Sequence, residues 1–568
     1  MKRKSLWAGV AALAAGLIFV TGGGAATSTT ITFTVNSTAD STTPCTIASH
    51  KSTGTCTLRG AVLAADALGN DNTIFVIKLA AKTYHLSLGT LGLNARTGNT
   101  ANLVQIVGAT AGKKKLPAST IDGSGNAKPA SVFELDSPTQ MSNVVVTGGS
   151  GDTGGGIWMD SALDMENSIV RGNTSCASWT GSACDATSYR AGGGIYMSSG
   201  AASPHLSLSK TTVTKNVASF GGGIDNEGGH ASSVAIYHSH IDKNVACDAF
   251  SHGVCVGGGS GGGVADDGES MLIEYSTVNG NQAGSPAYDI NNDESWGGGI
   301  YTDEDTTQLF HTVVKGNVAG QYGGGVYAYD LVDFVNSSVT GNVADDEGGG
   351  VYYDYLLTSK NSTFAHNVAG GTFECTIGQS STSCKHTAKG TTGTCATLYP
   401  SASSCIDYDG YGGGLYSDGE FAQFIATSIS NNVAASITGD ATNCGGGLGG
   451  GVYTDWTFTL SGGSKITNNT ADCGGGIYNY YGGNSVYTFD LADSLMTGNS
   501  ALEDGGAIWT GGGGSGTLYG MVIAKNYAGR QTGGVWDDQI GSVLLGSGNK
   551  IAGNLSTGAC KNITLPCK

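Results

Sequence analysis

Residues 297–322 read GGGIYTDEDTTQLFHTVVKGNVAGQY, and residues 323–347 repeat the pattern as GGGVYAYDLVDFVNSSVTGNVADDE. Each copy opens with a glycine triplet, an aliphatic residue and a tyrosine, and it closes on Gly-Asn-Val-Ala and a short turn. Self-similarity at such a short fixed period is typical of solenoids, in which each repeat forms one turn of a rod. This repeat therefore decides the fold.

Both motifs recur along most of the chain. Twelve glycine motifs begin at Gly154, Gly192, Gly221, Gly261, Gly297, Gly323, Gly348, Gly412, Gly449, Gly474, Gly505 and Gly533. Twelve asparagines mark the second motif: Asn173, Asn216, Asn244, Asn281, Asn317, Asn342, Asn367, Asn432, Asn469, Asn499, Asn526 and Asn554. Where no insertion intervenes the period is 25 or 26 residues, which gives room for three short strands and three turns. One period is therefore predicted to form one coil.

The predicted fold is an all-β, right-handed parallel β-helix of the pectate-lyase type, with about twelve repeats, further N-terminal coils and a short cap helix. Short β-branched strands separated by glycine or asparagine turns disfavour helical solenoids. A β-propeller is the alternative, but a blade needs about 40 residues and four strands. Parallel coils stack about 4.8 Å apart, so twelve coils predict a rod of about 60 Å.

Side chains alternate along a strand, which assigns each repeat position to the core or the surface. The residue after the glycines is aliphatic in every copy and is predicted to point inward. The next residue should then point outward, and it is aromatic in ten copies: Trp158, Tyr196, Tyr301, Tyr327, Tyr352, Tyr416, Tyr453, Tyr478, Trp509 and Trp536. Two residues further, also outward, the chain carries Asp160, Glu227, Asp267, Asp303, Asp354, Asp418, Asp455 and Asp538.

We name these positions the aromatic row and the acid row, and together they predict a binding face. The rings of Tyr301, Tyr327, Tyr352, Tyr416 and Tyr453 could offer flat faces to sugars. Asp303, Asp354, Asp418 and Asp455 could accept hydrogen bonds from sugar hydroxyl groups. The alternative is that both rows only stiffen the rod and keep it soluble. The repeated asparagines are predicted to turn inward and to hydrogen-bond from coil to coil.

Carboxylates stacked one coil apart repel each other, so the acid row should recruit cations or take up protons more readily than usual. Calcium, which prefers oxygen ligands, is the only cofactor that the pattern suggests. Its candidate ligands are Asp267 with Asp303 and Asp418 with Asp455.

The enzymatic alternative is a polysaccharide lyase or glycoside hydrolase acting through the same face, with Asp267 and Asp303 as catalytic candidates. Paired carboxylates about 5 Å or 6.5–9.5 Å apart would suit glycoside hydrolysis. A lyase needs a basic proton acceptor, and the arginines of the repeat region, Arg171, Arg190 and Arg530, are predicted to lie outside the acid clusters. A non-catalytic binding role is therefore favoured over catalysis.

Several features predict a secreted or cell-surface monomer. Residues 1–26 combine Lys2-Arg3-Lys4, an apolar run and small residues, as in a signal peptide. A membrane anchor is the alternative, although the run is shorter than the roughly 20 residues that span a bilayer. The 14 cysteines form near neighbours, which predicts disulfides: Cys45/Cys56, Cys176/Cys184, Cys247/Cys255, Cys375/Cys384, Cys395/Cys405, Cys444/Cys473 and Cys560/Cys567.

The formal net charge of −18 bears on the partner. Loss of the three basic residues of the signal peptide would take it to −21. A field of this sign disfavours nucleic acid and other polyanions. The predicted partner is a polysaccharide or a cell-surface glycan, with no membrane span in the mature chain.

From Gly154 to Asn554 the repeats resemble those of polymorphic outer membrane proteins and related bacterial β-helix proteins. Near the N-terminus, FTVNSTAD at 33–40 and CTLRGAV at 56–62 are similar to the Cys-Ser-Leu-Arg-Glu-Ala segment that opens such proteins, with Gly60 in place of the glutamate. The resemblance implies a secreted or surface protein, often an adhesin, and it assigns no catalytic residues. Thr57–Ala67 is predicted to form the cap helix.

The chain is therefore divided into a signal peptide (1–26), an N-terminal cap with the first coils (27–150), the repeat β-helix (151–555) and a tail (556–568). Four insertions, at 174–191, 247–260, 284–296 and 370–411, could wall a groove or could be tolerated outgrowths braced by disulfides.

Overall fold

The computed structural model describes residues 28–68, 73–94, 96–97, 100–127, 129–175, 190–200, 204–229, 231–251, 254–255, 257–285, 295–303, 306–370, 373–376, 404–407, 410–435, 444, 446–480, 488–511, 515–537 and 543–556. The chain forms a parallel β-helix, as the repeat predicts. Each full coil passes in turn through four sheets, which we number 1 to 4. The fourth is a two-residue strand directly after the repeated asparagine, so the expectation of three strands a coil was wrong.

Sheet 1 contains the residues that follow the glycines. Its 14 parallel strands are Leu91–Leu93, Phe133–Leu135, Ile157–Met159, Ile195–Met197, Ile224–Asn226, Val264–Asp266, Ile300–Thr302, Val326–Ala328, Val351–Tyr353, Leu415–Ser417, Val452–Thr454, Ile477–Tyr480, Ile508–Gly511 and Val535–Asp537.

Sheet 2 has 18 strands. Sixteen of them are parallel rungs: Thr29–Thr34, Thr73–Lys78, Leu103–Val107, Thr139–Ser142, Leu163–Glu166, His205–Ser209, Ser233–Tyr237, Ser270–Glu274, Thr306–Phe310, Leu331–Val335, Leu356–Lys360, Phe421–Ile425, Thr457–Ser461, Thr488–Ala492, Ser515–Tyr519 and Val543–Leu545. The antiparallel pair Thr46–Ala48 and Lys51–Thr53 completes it.

Sheet 3 has 15 parallel strands: Thr83–His85, Ser119–Asp122, Val144–Thr147, Ile169–Arg171, Thr212–Thr214, His240–Asp242, Thr277–Asn279, Val313–Lys315, Ser338–Thr340, Thr363–Ala365, Ser428–Ser430, Lys465–Thr467, Leu495–Thr497, Val522–Ala524 and Lys550–Ala552. Sheet 4 has 11 short strands: Val217–Ala218, Val245–Ala246, Gln282–Ala283, Val318–Ala319, Val343–Ala344, Val368–Ala369, Val433–Ala434, Thr470–Ala471, Ser500–Ala501, Tyr527–Ala528 and Leu555–Ser556.

In the described part of the chain, four antiparallel hairpins lie outside these four sheets. They are Arg96–Thr97 with Thr100–Ala101, Thr110–Ala111 with Leu116–Pro117, Phe250–Ser251 with Val254–Cys255, and Phe373–Thr376 with Ser404–Asp407. Most of the insertion segments lie outside the described residues, so their role as groove walls stays a prediction.

The core is a continuous aliphatic and aromatic filling inside the coils. The residue after the glycines is buried in every copy, which confirms the inward prediction: Ile157, Ile195, Ile224, Val264, Ile300, Val326, Val351, Leu415, Val452, Ile477, Ile508 and Val535. Within the five-residue rungs of sheet 2 the second and fourth residues, such as Val332 and Phe334, point inward in the same way.

The backbone packs closely against neighbouring backbone at the glycine triplet. Gly297 has a φ of 63°, in the left-handed region that favours glycine, and a Cβ there would lie 2.2 Å from the carbonyl oxygen of Ile300. A Cβ on Gly298 would lie 2.4 Å from the carbonyl oxygen of Gly324 and 2.5 Å from the carbonyl carbon of Val318. No side chain fits between the glycine segment and the sheet 4 strand that it faces.

The repeated asparagines form an inward ladder, as predicted. Asn317 donates its backbone N–H and its side-chain amide to Oδ1 of Asn342, at 2.9 and 3.0 Å. The same amide also donates to the carbonyl oxygen of Val278 at 3.0 Å. The same pattern joins every consecutive pair from Asn173 to Asn554. Each bend between sheets 3 and 4 is thereby satisfied by an amide of the neighbouring coil.

One α-helix, Leu58–Leu68, lies at the N-terminal end of the described chain, and it confirms the predicted cap helix within one residue at each end. Its buried face joins the main core through Leu58, Ala61 and Val62. Arg59 anchors it through Asp40 at 2.7 Å and through the carbonyl oxygen of Thr90 at 2.9 Å. A Cβ on Gly60 would lie 2.4 Å from the carbonyl oxygen of Thr43, so this position has no space for a glutamate.

Three of the predicted disulfides are present: Cys45–Cys56, Cys247–Cys255 and Cys444–Cys473. The other four pairings include cysteines that lie outside the described residues, and they stay predictions. The signal peptide and most of the tail also lie outside the described residues and stay predictions. The backbone register sets Cys375 opposite Cys405. In the part of the chain that the structure describes, no helix has the length and apolarity that a bilayer crossing requires.

Candidate functional site

The aromatic row lies on the side of sheet 1 that faces away from the main core. From Tyr301 to Trp536 the eight aromatic residues occupy equivalent positions in consecutive strands. Their buried members belong to two clusters that are separate from the core. The predicted outward direction is therefore confirmed for this stretch of sheet 1.

The rings of the aromatic row stack into one column. Seven consecutive ring pairs, from Tyr301–Tyr327 to Trp509–Trp536, have centroids 4.2 to 5.5 Å apart and interplanar angles of 5° to 16°. The spacing of the coils, about 4.8 Å, leaves no room for a further ring between neighbours.

A second row covers the column from the side. It consists of the residue that precedes the turn 297–299 and its equivalents in the same eight coils: Trp296, Tyr322, Glu347, Tyr411, Leu448, Cys473, Asp504 and Gln531. The glycine turn folds this residue back over the column, so that Trp296 lies 5.2 Å from Tyr327 and Tyr322 lies 5.3 Å from Tyr352, measured between ring centroids.

This packing corrects one sequence expectation. Tyr301, Tyr327 and Tyr352 are buried, and Tyr416 and Tyr453 are half-buried. Their faces are occupied by neighbouring rings, so the column does not present flat open rings to a sugar. The physical reason is that the repeat places an aromatic residue in nearly every coil, and stacked aromatic rings bury one another.

The acid row lies beside the column and accepts hydrogen bonds from its hydroxyl groups. Tyr327 donates to Oδ2 of Asp354 over 3.1 Å, and Tyr352 donates to Oδ2 of Asp418 over 3.5 Å. Each bond joins a tyrosine to an acid one coil further along the chain. Burial raises the pKa of both phenols, so they remain donors.

The pKa is raised at three carboxylates of the acid row, Asp354, Asp418 and Asp455, and burial is the largest cause at each. Burial, and next the charge of Asp418, raise the pKa of Asp455 to about 7. Burial also raises the pKa of Asp354 and Asp418, against hydrogen bonds from tyrosines. Asp418 is exposed, while Asp303, Asp354 and Asp455 are half-buried. Asp538 lies outside the described residues.

Glu347 joins this group, although the repeat alone did not single it out. It occupies the covering row next to Tyr416. Burial, and then Asp346 and Asp418, raise its pKa to about 8. The sequence clue was its place directly before Gly348, where the two copies before it and the two copies after it carry an aromatic or apolar residue.

The aromatic row is interrupted at Asp225 and Ala265, in the two coils before Tyr301. Asp225 is 2% exposed, and its Oδ2 has no hydrogen-bond partner. Burial, and then Glu227, Asp267 and Asp266, hold its pKa well above the usual range. The candidate residues Asp267 and Asp303 lie in the consecutive coils of Ala265 and Tyr301, and both are half-buried. Its proposed catalytic and calcium roles stay predictions.

The open aromatic surface belongs to other tyrosines. Tyr329 and Tyr480 occupy acid-row positions and are 51% and 42% exposed, and Tyr355, which follows Asp354, is 49% exposed. Among the described residues of this face, theirs are the rings most open to a ligand. The sequence showed Tyr329 and Tyr480 as exceptions in the acid row, but nothing in it marked them as more accessible than the column.

Among the described residues, one group of three or more histidine, cysteine, aspartate or glutamate side chains has ligand atoms within 4.8 Å of one another: Cys444, Cys473, Glu503 and Asp504. The predicted calcium pairs Asp267 with Asp303 and Asp418 with Asp455 do not form such a group, and they stay predictions. Arg530 contacts Glu503 and Asp504, so the expectation that no arginine lies within an acid cluster was wrong.

No family model, curated protein or solved structure matches this chain. The resemblance to polymorphic outer membrane protein repeats therefore stays a prediction.

Proposed function

We propose that the protein is a secreted or cell-surface, non-catalytic binding protein that holds a neutral or basic glycan along the acid row. The observation that carries the proposal is the set of exposed tyrosines, Tyr329, Tyr355 and Tyr480, on the same face as the exposed carboxylate of Asp418. Sugars combine an apolar ring face with hydroxyl groups at the rim. An open phenol ring beside a hydrogen-bond acceptor complements both parts.

The buried column contributes rigidity to this face. Its stacked rings and the hydroxyl-to-carboxylate bonds from Tyr327 and Tyr352 hold the acid row in place. A preorganised surface loses little conformational entropy on binding. We therefore assign the column a supporting role and the exposed tyrosines the contact with the ligand.

The net charge selects the class of glycan. At −18 the chain repels uronic-acid polymers and attracts amino-sugar polymers, while neutral sugars are unaffected. Export through the predicted signal peptide and the disulfides are consistent with an extracellular ligand. The adhesin-like role and the monomeric state belong to the same proposal.

Retention of the full chain on immobilised neutral, amino-sugar and uronic-acid oligosaccharides tests the proposal. We expect retention on the first two classes and none on the third. The Tyr329→Ala/Tyr355→Ala variant should weaken binding at least about tenfold, equivalent to about 1.4 kcal/mol. The loss should appear in the dissociation rate.

The matched control removes two equally exposed tyrosines from other places on the rod, Tyr275 and Tyr519, which are 50% and 53% exposed. The Tyr275→Ala/Tyr519→Ala variant should bind as the parent does. Equal losses in the two variants, or no retention of any glycan by the parent, would contradict the proposal.

A polysaccharide-degrading enzyme is the second candidate, and one observation favours it. Glu347 and Asp455 have pKa values raised to about 8 and about 7. Carboxyl groups that keep a proton near neutral pH can act as general acids. Reducing-sugar and unsaturated-product assays on every retained glycan separate the two functions, because turnover that is lost in Asp455→Asn supports an enzyme.

A further inference from the structure

Cys444, Cys473, Glu503 and Asp504 meet at the edge of the aromatic column, although they come from three separate segments of the chain. Cys473 and Asp504 both precede a glycine turn, in consecutive coils, and the backbone N–H of Gly474 donates to the carbonyl oxygen of Asp504 at 3.0 Å. The backbone N–H of Cys444 donates to Oε2 of Glu503 at 2.7 Å. The sulfur and carboxylate atoms all lie within 4.8 Å of one another.

The pocket that these side chains form is largely buried and negatively charged. Cys473, Glu503 and Asp504 are buried. Arg530 binds Asp504 and also lies 3.5 Å from Glu503, and its side chain is 38% exposed. Two buried carboxylates thus share one guanidinium that reaches the solvent. Buried charge without full compensation is costly, so the pocket favours a further cation.

We propose that these four side chains form a binding site for a thiophilic divalent cation of the zinc class when the Cys444–Cys473 disulfide is reduced. Zinc takes four ligands, and thiolate sulfur and carboxylate oxygen both serve. The disulfide and the cation are therefore alternative occupants of one site. Calcium and magnesium, which prefer oxygen ligands alone, bind there more weakly.

Replacement of the disulfide by a cation requires a reductant, and a dithiol supplies the electrons and protons that the reaction needs. The dithiol supplies two electrons and two protons, the Cys444–Cys473 bond breaks, and the reductant becomes a disulfide. The cation then displaces the two thiol protons, since the thiolate is the metal ligand. Arg530 occupies the same carboxylates, so it competes with the cation. When the cation binds, Arg530 turns toward the solvent that its side chain already reaches.

Binding of Co2+ and Zn2+ to the full chain, before and after reduction with dithiothreitol and removal of the reductant, tests the site. The reduced chain should take up one equivalent more than the Glu503→Gln/Asp504→Asn variant, which keeps all 14 cysteines. The sulfur-to-cobalt charge-transfer band should be weaker in that variant. The Asp164→Asn/Glu166→Gln variant, which removes two exposed carboxylates of sheet 2, should match the parent.

Two further variants keep the test decisive if the carboxylate variant does not fold. Arg530→Ala should bind the cation at least threefold more tightly, because the competitor is gone. Cys444→Ser/Cys473→Ser should lose one equivalent, while Cys247→Ser/Cys255→Ser, a second described disulfide, should keep it. Equal uptake by the parent and the carboxylate variant, or by the two cysteine variants, would overturn the proposal.

Discussion

Asn342 donates both its backbone N–H and its side-chain amide to Oδ1 of Asn367 in the next coil, each over 3.0 Å. It also accepts both equivalent bonds from Asn317. Asn342 thus takes part in the hydrogen bonds at the bends of two neighbouring coils. In this fold each repeat contacts only its neighbours.

Asn342→Ala should lower the free energy of unfolding by about 3 kcal/mol, because it leaves two donors of Asn317 and the carbonyl oxygen of Val314 without their partners. Chemical denaturation followed by circular dichroism measures the change. Asn279→Ala, on the outer side of sheet 3, should stay within about 0.5 kcal/mol of the parent. Similar losses in the two variants would show that the ladder contributes little.

Stability should fall as the pH rises from about 4.5 to about 8, because Glu347 titrates late in the folded chain. Burial, and then Asp346, Asp418 and Asp455, raise its pKa to about 8, against a hydrogen bond with Tyr416 that lowers it. A raised folded pKa gives stability that is fully present below the unfolded pKa and is lost as the pH passes through the folded one.

Glu347→Gln should flatten the dependence of the melting temperature on pH between 4.5 and 8 and raise the stability at pH 8 by about 2 kcal/mol, after allowance for the partial exposure of the side chain. Glu134→Gln, at an exposed position of sheet 1, should leave the profile unchanged. An unaltered slope in Glu347→Gln would mean that other groups carry the pH dependence.

Asp225→Asn should also stabilise the chain at pH 8 and leave it unchanged at pH 4.5. The carboxyl is buried without a hydrogen-bond partner for Oδ2, and burial, together with three neighbouring acids, holds its pKa well above the usual range. The amide removes the cost of ionisation without changing the shape. Thermal unfolding at the two pH values measures the difference. A loss of stability at pH 8 would indicate that Asp225 is ionised and serves as an acceptor.

The period and the two-residue alternation of strands were enough to place Ile300 in the core, to direct Tyr301 to the outer side of sheet 1 and to assign Asn317 to an inward ladder. They depend only on local geometry, which every coil repeats. The burial of Tyr301 could not be predicted in this way, because it requires Trp296 to fold back across a left-handed glycine turn.

Contacts between coils were harder to foresee where insertions differ in length. Cys444 lies between the motifs at Gly412 and Gly449, which are further apart than one uninterrupted period. Its contact with Glu503 joins it to a different coil. Arg530 reaches the same acids from one coil further on. The accessibility of Tyr355 was also hidden, since it lies next to the acid row rather than in it.

Thr532 occupies the position that is the first glycine of the triplet in the other eleven copies, and the backbone N–H of Gly506 donates to its carbonyl oxygen at 3.1 Å. It has a φ of 42°, although a β-branched side chain strongly disfavours the left-handed region. Its buried hydroxyl oxygen also has no hydrogen-bond partner.

Thr532→Gly removes both the backbone strain and the unpaired hydroxyl, and it should stabilise the chain by about 1–2 kcal/mol. Thr532→Ala removes only the hydroxyl and should recover less. Denaturant midpoints rank the three proteins, and an alanine variant as stable as the glycine variant would show that the backbone at this turn is not strained.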